Sequence, residues 1–270
     1  INNEPFSGSL PVLIYTNGIP AFGTPAVTIQ NAVLAAYPNA NVTTTTTTNG
    51  TVLADLLAQN KVFIVPQIQD ATIAANFASL DDEIQAFANA GGMVIFGAAN
   101  FDGGVAINNS GLFSLIQNFD SGDAISVNDE NHPLADGITD GFFTTNGVTP
   151  VTINNTDATV VIEEVISFGG GGADAAYRNV GAGKAVYIGF NHTFPDPNAE
   201  AILGNAIKWQ ADIALVDWLA LNNTGGTVGF PGQTIVDVTL DATNLLGGTY
   251  YTQIEIATNE PLNPSIIVPV

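Results

Sequence analysis

Cysteine is absent from this chain, and positively charged residues are scarce. The 270 residues include no Cys, which excludes disulfide bridges, thiolate metal sites and cysteine nucleophiles. Lys and Arg together number 4 against 25 Asp and Glu, giving a formal net charge of −21 at pH 7. So acidic a surface disfavours nucleic acids and anionic membranes as partners. It is typical of a solvated, self-repelling surface in a salty medium, or of a protein that takes up divalent cations.

Long hydrophobic runs are also missing. No apolar run approaches the roughly 20 residues of a transmembrane helix, so we expect no membrane insertion. The hydrophobic fraction of 46% nevertheless predicts a folded core. The chain begins at Ile1 rather than Met, which we interpret as processing or trimming. Its Asn- and Thr-rich, Lys-poor composition resembles exported prokaryotic surface proteins, so we expect a secreted or cell-surface location.

Strand and helix patterns alternate along the first 210 residues. Strand patterns occur at 11–16, 41–48, 61–66, 92–97, 123–127, 150–153, 158–166 and 184–190. Helical patterns occupy 24–36, 51–59, 77–90, 111–118 and 197–210. This alternation predicts an α/β fold of the flavodoxin-like type, with a parallel sheet and helices on both faces. Residues 1–10 are polar and irregular and are interpreted as an extended N-terminal arm. The α/β domain is then 11–210, followed by a β-rich domain at 211–270.

Three segments carry a resemblance to a known superfamily. They are GMVIFGAANFDGG (92–104), NDENHPLADGI (128–138) and GAGKAVYIGFNHTFPDPNAEAILGNAIKWQ (181–210). Together they resemble the class I glutamine-amidotransferase-like superfamily, particularly its ThuA-like branch, over roughly residues 10–210. The resemblance implies a nucleophilic Cys on the turn after the strand at 92–97. This chain has Gly97, Ala98, Ala99 and Asn100 there, none of which can attack a carbonyl. We therefore favour a protein without amidotransferase or cysteine-hydrolase activity.

The two histidines are the remaining candidates for a ligand site in this domain. His132 precedes a proline in a loop, and His192 follows a strand. With Asn100, one or both could bind a sugar or a metal at the carboxyl edge of the sheet, where open α/β sheets place ligands. Alternatively, each imidazole bonds a backbone carbonyl and fixes a loop. Two histidines without neighbouring hydrogen-bond acceptors to orient their rings are weak evidence for a metal site.

An acidic, Asn- and Gly-containing stretch is a candidate calcium site. Asp120, Asp123, Asp129 and Glu130 could supply oxygen ligands to Ca²⁺, the one cofactor that the sequence suggests. Their spacing does not match an EF-hand, and a solvated turn is the alternative. The glycine run at 168–174 lacks the Lys-Ser/Thr of a phosphate-binding loop and is interpreted as a hairpin loop. Glycosylation sequons occur at Asn41, Asn49, Asn108, Asn154, Asn191 and Asn222, although a composition so rich in Asn and Thr produces several by chance.

The last sixty or so residues resemble a bacterial immunoglobulin-like module. The matching residues are Trp218-Leu219, Gly226–Val228, Asp241–Leu245, Gly248–Tyr250, Asn259–Pro261 and Val268–Val270. Such a β-sandwich needs about seven strands and about 100 residues, yet only four or five strand patterns follow residue 212. The resemblance therefore implies an incomplete sandwich with an open edge of unpaired backbone groups.

Two explanations of the incomplete sandwich stay open. A strand of another copy, or the N-terminal arm, could complete the sheet, and head-to-tail repetition of that contact gives a filament. Otherwise the missing strands lie in adjoining domains of a longer chain. We thus predict an oligomeric, extracellular structural protein that assembles by strand complementation. The alternatives are an accessory or degenerate domain of a secreted hydrolase or protease, and a carbohydrate- or Ca²⁺-binding module.

Overall fold

The chain divides into two compact units, one formed by Leu10–Gln210 and the other by Ile1–Ser9 with Ala211–Val270. The computed structural model describes residues 9–21, 24–98, 102–118, 124–143, 147–164, 171–214, 219–221, 227, 235–241, 253–257 and 265–269. Most of the predicted N-terminal arm therefore lies outside the described residues.

The larger unit alternates strands and helices in its first half and is rich in strands in its second. In chain order its elements are β1 (Pro11–Tyr15), α1 (Pro25–Ala36), β2 (Asn41–Thr45), α2 (Gly50–Leu57), β3 (Val62–Val65), α3 (Ala71–Asn76), α4 (Asp81–Asn89), β4 (Met93–Phe96), α5 (Gly103–Asn109), β5 (Leu115–Gln117), β6 (Ile125–Val127), β7 (Val151–Ile153), β8 (Thr159–Glu164), β9 (Gly172–Val180), β10 (Gly183–Ile188) and α6 (Pro197–Ala214). Short 3₁₀ helices occupy Phe77–Ser79 and Pro133–Ala135.

These strands form one ten-stranded mixed sheet. Its main path runs β2-β1-β3-β4-β10-β9-β7-β5, and β8 joins β9 to β6. The pairs from β2 to β10 are parallel, as the alternating sequence pattern predicts. From β10 onward, the pairs with β9, β8, β7, β6 and β5 are antiparallel. The α/β prediction is thus confirmed, with an antiparallel extension that the flavodoxin-like type does not include.

Helices cover both faces of the parallel strands. On one face, Leu13, Phe63 and Val94 pack into a core with residues of α2, α3, α4 and α5. Alternate strand residues such as Val12 and Ile64 are equally buried and point to the opposite face, because side chains alternate along a strand. Helices α1 and α6 supply buried residues outside that first core and lie against each other. A Cβ added at Gly204 of α6 would come 3.0 Å from the Cβ of Ala36.

Local sequence signals account for several helix starts. Pro25 occupies the first turn of α1, where a missing N–H costs nothing, although the Thr24 side chain makes no capping bond. The Asn49 side chain accepts a hydrogen bond from Val52 N–H at the start of α2. Asp70 accepts bonds from two backbone N–H groups at the start of α3. These caps satisfy donors that the first turn of a helix leaves unpaired.

Three sequence-based element predictions differ from the structure in their type or bounds. The helix expected over 77–90 is divided, with a 3₁₀ turn at Phe77–Ser79 before α4. The helix expected at 111–118 lies earlier, at α5, because Gly111 adopts φ +70° and ends it. Leu115–Gln117 is instead strand β5, and the Asn108 side chain bonds both the N–H and the carbonyl of Leu115.

The third difference concerns the segment after the glycine run. The sequence predicts a loop through residue 174, whereas β9 begins at Gly172 and continues to Val180. Alanines at 173, 175 and 176 give β9 little β-branched character, so its strand conformation comes from pairing with β8 and β10 on its two sides.

The described part of the smaller unit consists of two strand pairs. β11 (Leu219–Leu221) pairs antiparallel with β12 (Val238–Leu240), and β13 (Gln253–Ala257) pairs antiparallel with β14 (Ser265–Pro269). All four strands follow residue 212, in the region for which the sequence predicts four or five strands, while the immunoglobulin-like sandwich itself stays a prediction. Within the described ranges, no helix is both long enough and apolar enough to cross a bilayer.

Candidate functional site

The carboxyl ends of the parallel strands meet at one edge of the sheet, where open α/β folds bind ligands. A small cavity lies there between the first turns of α1, the segment Pro66-Gln67 after β3, and the segment Phe190–Thr193 after β10. Its volume is about 10 Å³, which is space for about one water molecule. This cavity is therefore too small for an organic ligand.

His192 lines this cavity and is buried. Its Nε2 lies 3.4 Å from the carbonyl oxygen of Ala199 in the first turn of α6. Burial lowers the pKa of His192, and hydrogen bonds to backbone groups of Ala199 and Phe190 and the charge of Asp196 oppose this only in part. The imidazole is consequently neutral at pH 7 and joins the segment after β10 to α6.

The segment around His192 is held by its own polar groups. The Asn191 side-chain oxygen accepts a bond from Thr193 N–H at 2.8 Å, and the Thr193 carbonyl accepts one from Thr24 N–H at 3.1 Å. Asp196 then caps α6, since its Oδ1 accepts bonds from Asn198 N–H and another first-turn N–H. These bonds give a compact connection between β10, α1 and α6.

The turn after β4 is where the resemblance places a nucleophile. Gly97 N–H donates to Val65 O at 2.8 Å, and a Cβ at Gly97 would lie 3.0 Å from the backbone nitrogen of Gln67. Ala98 is 1% exposed. Neither residue carries a reactive group, and Ala99 and Asn100 lie outside the described residues. The described part of the turn thus presents no nucleophile.

His132 belongs to an aromatic cluster that we define as His132, Tyr177 of β9, Trp209 of α6 and Lys184 of β10. The imidazole stacks on Tyr177 with ring centroids 4.6 Å apart, and meets Trp209 edge to face at 4.8 Å. Lys184 Nζ lies 4.7 Å from the centre of the Trp209 ring, a cation–π distance. This cluster fixes the loop that contains His132 against the sheet and α6.

The protonation state of His132 follows from the same contacts. Its Nδ1 accepts a hydrogen bond from Leu134 N–H at 3.1 Å, so this nitrogen carries no proton. Burial lowers the pKa of His132, the charge of Asp129 raises it, and the charge of Lys184 lowers it again. Burial also lowers the pKa of Lys184. His132 is accordingly neutral at pH 7.

The structure does not bring the two histidines together. His192 contacts α6 at Ala199, and His132 contacts the same helix at Trp209. Ten residues of α-helix separate these contacts by about 15 Å. A single ligand site that uses both side chains is therefore not formed. His192 lies within hydrogen-bond distance of a backbone carbonyl, whereas His132 accepts from a backbone N–H, and ligand binding by either side chain alone stays a prediction.

Two buried carboxylates near the carboxyl edge escaped sequence reasoning. Glu164, at the end of β8, is 1% exposed, and Asp174, near the start of β9, is fully buried. The Asp174 carbonyl accepts a bond from Gly189 N–H at 2.7 Å, which places this part of β9 beside the end of β10. A Glu-Glu pair and an Asp after a glycine run resemble solvated residues in the sequence, because nothing local indicates that two strands bury them.

The candidate calcium residues are divided between described and undescribed segments. Asp120 and Asp123 lie outside the described residues. Asp129 and Glu130 are exposed, and Asp129 Oδ1 accepts a bond from Asn131 N–H at 3.1 Å, as in a solvated turn. Among the residues that the structure describes, no three His, Asp or Glu side chains group as metal ligands would. Calcium binding stays a prediction.

The sequons differ in how available their asparagines are. Asn41, Asn49, Asn108 and Asn154 are exposed, Asn191 is half-buried, and Asn222 lies outside the described residues. Several of these side chains already form hydrogen bonds with the backbone. Asn49 caps α2, and Asn108 bonds the N–H and the carbonyl of Leu115. Glycosylation stays a prediction.

Comparisons with known proteins give matches in structure alone. No protein-family model and no curated protein matches the chain. Solved structures do match, among them a protein from Thermoplasma acidophilum that is described as a GMP synthase subunit. It has TM-score 0.51 and 11% identity, covering 77% of this chain and 96% of that one.

Two further matches have similar scores. A ThuA-like protein from Parabacteroides merdae has TM-score 0.51 and 9% identity, covering 88% of this chain and 100% of that one. A β-galactosidase from Rahnella sp. R3 has TM-score 0.50 and 10% identity, covering 98% of this chain but 40% of that one. At such low identity these likenesses establish the fold alone. The chain has an α/β fold shared with ThuA-like and GMP-synthase-like proteins.

Proposed function

We propose that this chain is a non-catalytic protein of the cell surface or extracellular space that assembles with other proteins through its β-structure. One observation carries the proposal. In the described part of the carboxyl edge, the usual catalytic position in such folds, a cavity of about 10 Å³ lies beside β3 and β10, and Gly97 and Ala98 carry no reactive groups. The chain contains no Cys, so no other cysteine can replace the nucleophile that the resemblance implies.

The contacts of the two histidines support a non-catalytic role. A general base needs an imidazole that can reach a substrate and exchange protons near neutral pH. His192 is 7% exposed and His132 is 9% exposed, and burial lowers both pKa values. Both rings bond backbone groups or stack on aromatic rings, so their contacts stabilise loops.

Strand completion is the mode of assembly that we propose for the C-terminal region. Its described strands form two separate two-stranded pairs, β11 with β12 and β13 with β14. Isolated two-stranded pairs are marginally stable in water and gain from further strands. Copies of this chain, or adjoining domains of a longer chain, are the proposed sources of those strands. Head-to-tail repetition would give a filament.

A role as an accessory domain of a secreted hydrolase is the second candidate. The observation that favours it is the match to the Rahnella β-galactosidase, in which a region comparable to this chain makes up 40% of a larger enzyme. A carbohydrate- or Ca²⁺-binding role is the third candidate, which calorimetry with Ca²⁺ and a glycan panel would test.

The experiment that tests the proposed function measures both the mass of the protein in solution and its hydrolytic activity. Size-exclusion chromatography with light scattering should give a mass that is a multiple of 27.9 kDa, and negative-stain microscopy should show the assembly. Glutamine hydrolysis and aryl-glycoside hydrolysis should both stay at the rate without protein. Turnover of either substrate, or a strictly monomeric protein, would overturn the proposal.

A further inference from the structure

Strand β2 is the outermost strand of the parallel half of the sheet. It pairs with β1 in unbroken register from Pro11 opposite Asn41 to Tyr15 opposite Thr45. Among the described residues, no strand pairs with its other side. Within the part of the chain that the structure describes, its outer backbone groups form an open edge of the large sheet.

The hydrogen bonds to β1 identify the backbone groups that face outward. Asn41 N–H donates to Leu10 O at 2.8 Å, and Thr45 O accepts from Thr16 N–H at 2.8 Å. Backbone direction alternates along a strand, so Val42 and Thr44 direct their N–H and C=O groups away from β1. These four groups are spaced to pair with a further strand.

The β2 edge lacks the features that normally prevent strand addition. Natural edge strands are protected by charged side chains, prolines, bulges or short length. β2 has five residues, all uncharged and none of them proline, and four of them are the β-branched types that favour strands. Its register with β1 contains no bulge. Such an edge is suited to binding a strand.

The charge distribution around this edge identifies the partner. No Asp, Glu, Lys, Arg or His occurs from Pro5 to Ala54, which includes β1, α1, β2 and the first half of α2. The exposed apolar side chains Val27 of α1 and Val52 of α2 lie within the same uncharged segment. Two bodies of charge −21 repel each other, and a contact through the five residues of β2 adds no carboxylate from that strand. The Glu83 side chain of α4 lies beside Gly50, at the start of α2. A basic partner would instead favour the acidic surface elsewhere.

We propose that two copies of this chain pair antiparallel through β2, about a two-fold axis that passes beside Thr43. Val42 of each copy then faces Thr44 of the other, and the two pairs exchange about four backbone hydrogen bonds. Thr43 faces Thr43 of the second copy, a favourable cross-strand pair. The contact is isologous, so it closes at a dimer and joins two ten-stranded sheets into one.

This inference rests on the proposed function in one respect, namely that the chain assembles. The β2 strand, however, belongs to the larger unit, whereas the C-terminal strands belong to the smaller one. The β2 contact alone cannot give a filament, because a two-fold contact closes at a dimer. The two contacts can therefore be tested independently.

The experiment uses the full chain and places a charge beside the two-fold axis of the proposed dimer. Thr43 is exposed, so Thr43→Asp and Thr43→Lys should leave the fold intact, which circular dichroism and thermal melting check. In either variant two like charges would face each other, and the dimer dissociation constant should rise by at least about tenfold. An equimolar mixture of the two variants should restore the dimer, since the charges are then opposite. Thr72→Asp, an exposed threonine on α3, is the control for net charge and should dimerise like the wild type.

Light scattering and sedimentation equilibrium give the outcomes. A wild-type dimer, with dissociation of both Thr43 variants and recovery in their mixture, supports β2 pairing. If the wild type assembles and the Thr43 variants assemble equally well, β2 pairing is overturned while the proposed assembly function stands. A wild type that is monomeric at about 100 µM, where even weak specific contacts are populated, overturns both.

Discussion

Replacing His192 with glutamine should weaken the dependence of stability on pH in the mildly acidic range. His192 is 7% exposed, and its Nε2 lies 3.4 Å from Ala199 O. Burial lowers its pKa in the folded state, whereas the unfolded chain returns it to about 6.5. The unfolded state therefore binds more protons below about pH 6.5, and acid favours unfolding. Glutamine fills similar space with an amide that does not titrate.

The sign and the upper magnitude follow from proton linkage. A histidine with a depressed folded pKa contributes stability that is complete above the unfolded pKa and is lost as the pH falls toward the folded pKa. If the histidine stays neutral in the folded state over this range, it lowers the free energy of unfolding by about 1.4 kcal/mol as the pH falls from 7.5 to 5.5. Burial lowers the pKa of His132 as well, so the wild type has two such contributions. His192→Gln should remove one of them.

Urea denaturation followed by circular dichroism at several pH values between 5.5 and 7.5 measures this dependence. The range stays above the ordinary pKa values of Asp and Glu, so most carboxylates do not contribute. The change of unfolding free energy with pH is compared between the wild type, His192→Gln and the double variant with His132→Gln. The slope should fall at each step. An unchanged slope in His192→Gln would refute the assignment of a buried, neutral imidazole.

Two further predictions concern packing inside the larger unit. Asn205, which is 5% exposed, donates hydrogen bonds to two carbonyl oxygens of the Leu134–Asp136 segment, so Asn205→Ala should cost about 1–3 kcal/mol of stability in urea denaturation. Asn205→Asp, which keeps the shape without the donors, should not restore the loss. A Cβ at Gly183 would lie 2.1 Å from Gly92 O and 2.4 Å from Ala88 O, so Gly183→Ala should destabilise by about 1–3 kcal/mol or more. A melting temperature equal to that of the wild type would contradict this close backbone approach.

The sequence predicted the parallel half of the fold well, for a physical reason. Strands such as Val62–Val65 and Met93–Phe96 are buried on both faces, so they occur as continuous apolar runs between helical patterns. The helix starts near Pro25 and Asn49 likewise depend on residues that act locally. Signals of this kind lie within a few residues of the structure that they specify.

The antiparallel half and the site depended on distant contacts and were predicted less well. β9 is rich in alanine and becomes a strand because β8 and β10 pair with it. Glu164 and Asp174 are polar residues whose burial depends on strands distant in sequence. The separation of His132 from His192 likewise required the position of α6, since both are adjacent to strands or loops of similar polarity in the sequence. Long-range pairing decides such features, and a local pattern does not contain it.

The position of β10 between β4 and β9 has a consequence for how the chain is made. β4 ends at Phe96, yet its neighbour on one side does not begin until Gly183. During synthesis, the four strands from β1 to β4 can pair with one another. The outer edge of β4 stays unpaired until roughly 90 further residues have been made, at about 5–20 residues per second. For several seconds, the nascent chain would expose the MVIF edge to pairing with other chains. Chaperone binding to ribosome-bound intermediates should therefore be strongest before residue 188 emerges and should fall once β10 closes the sheet.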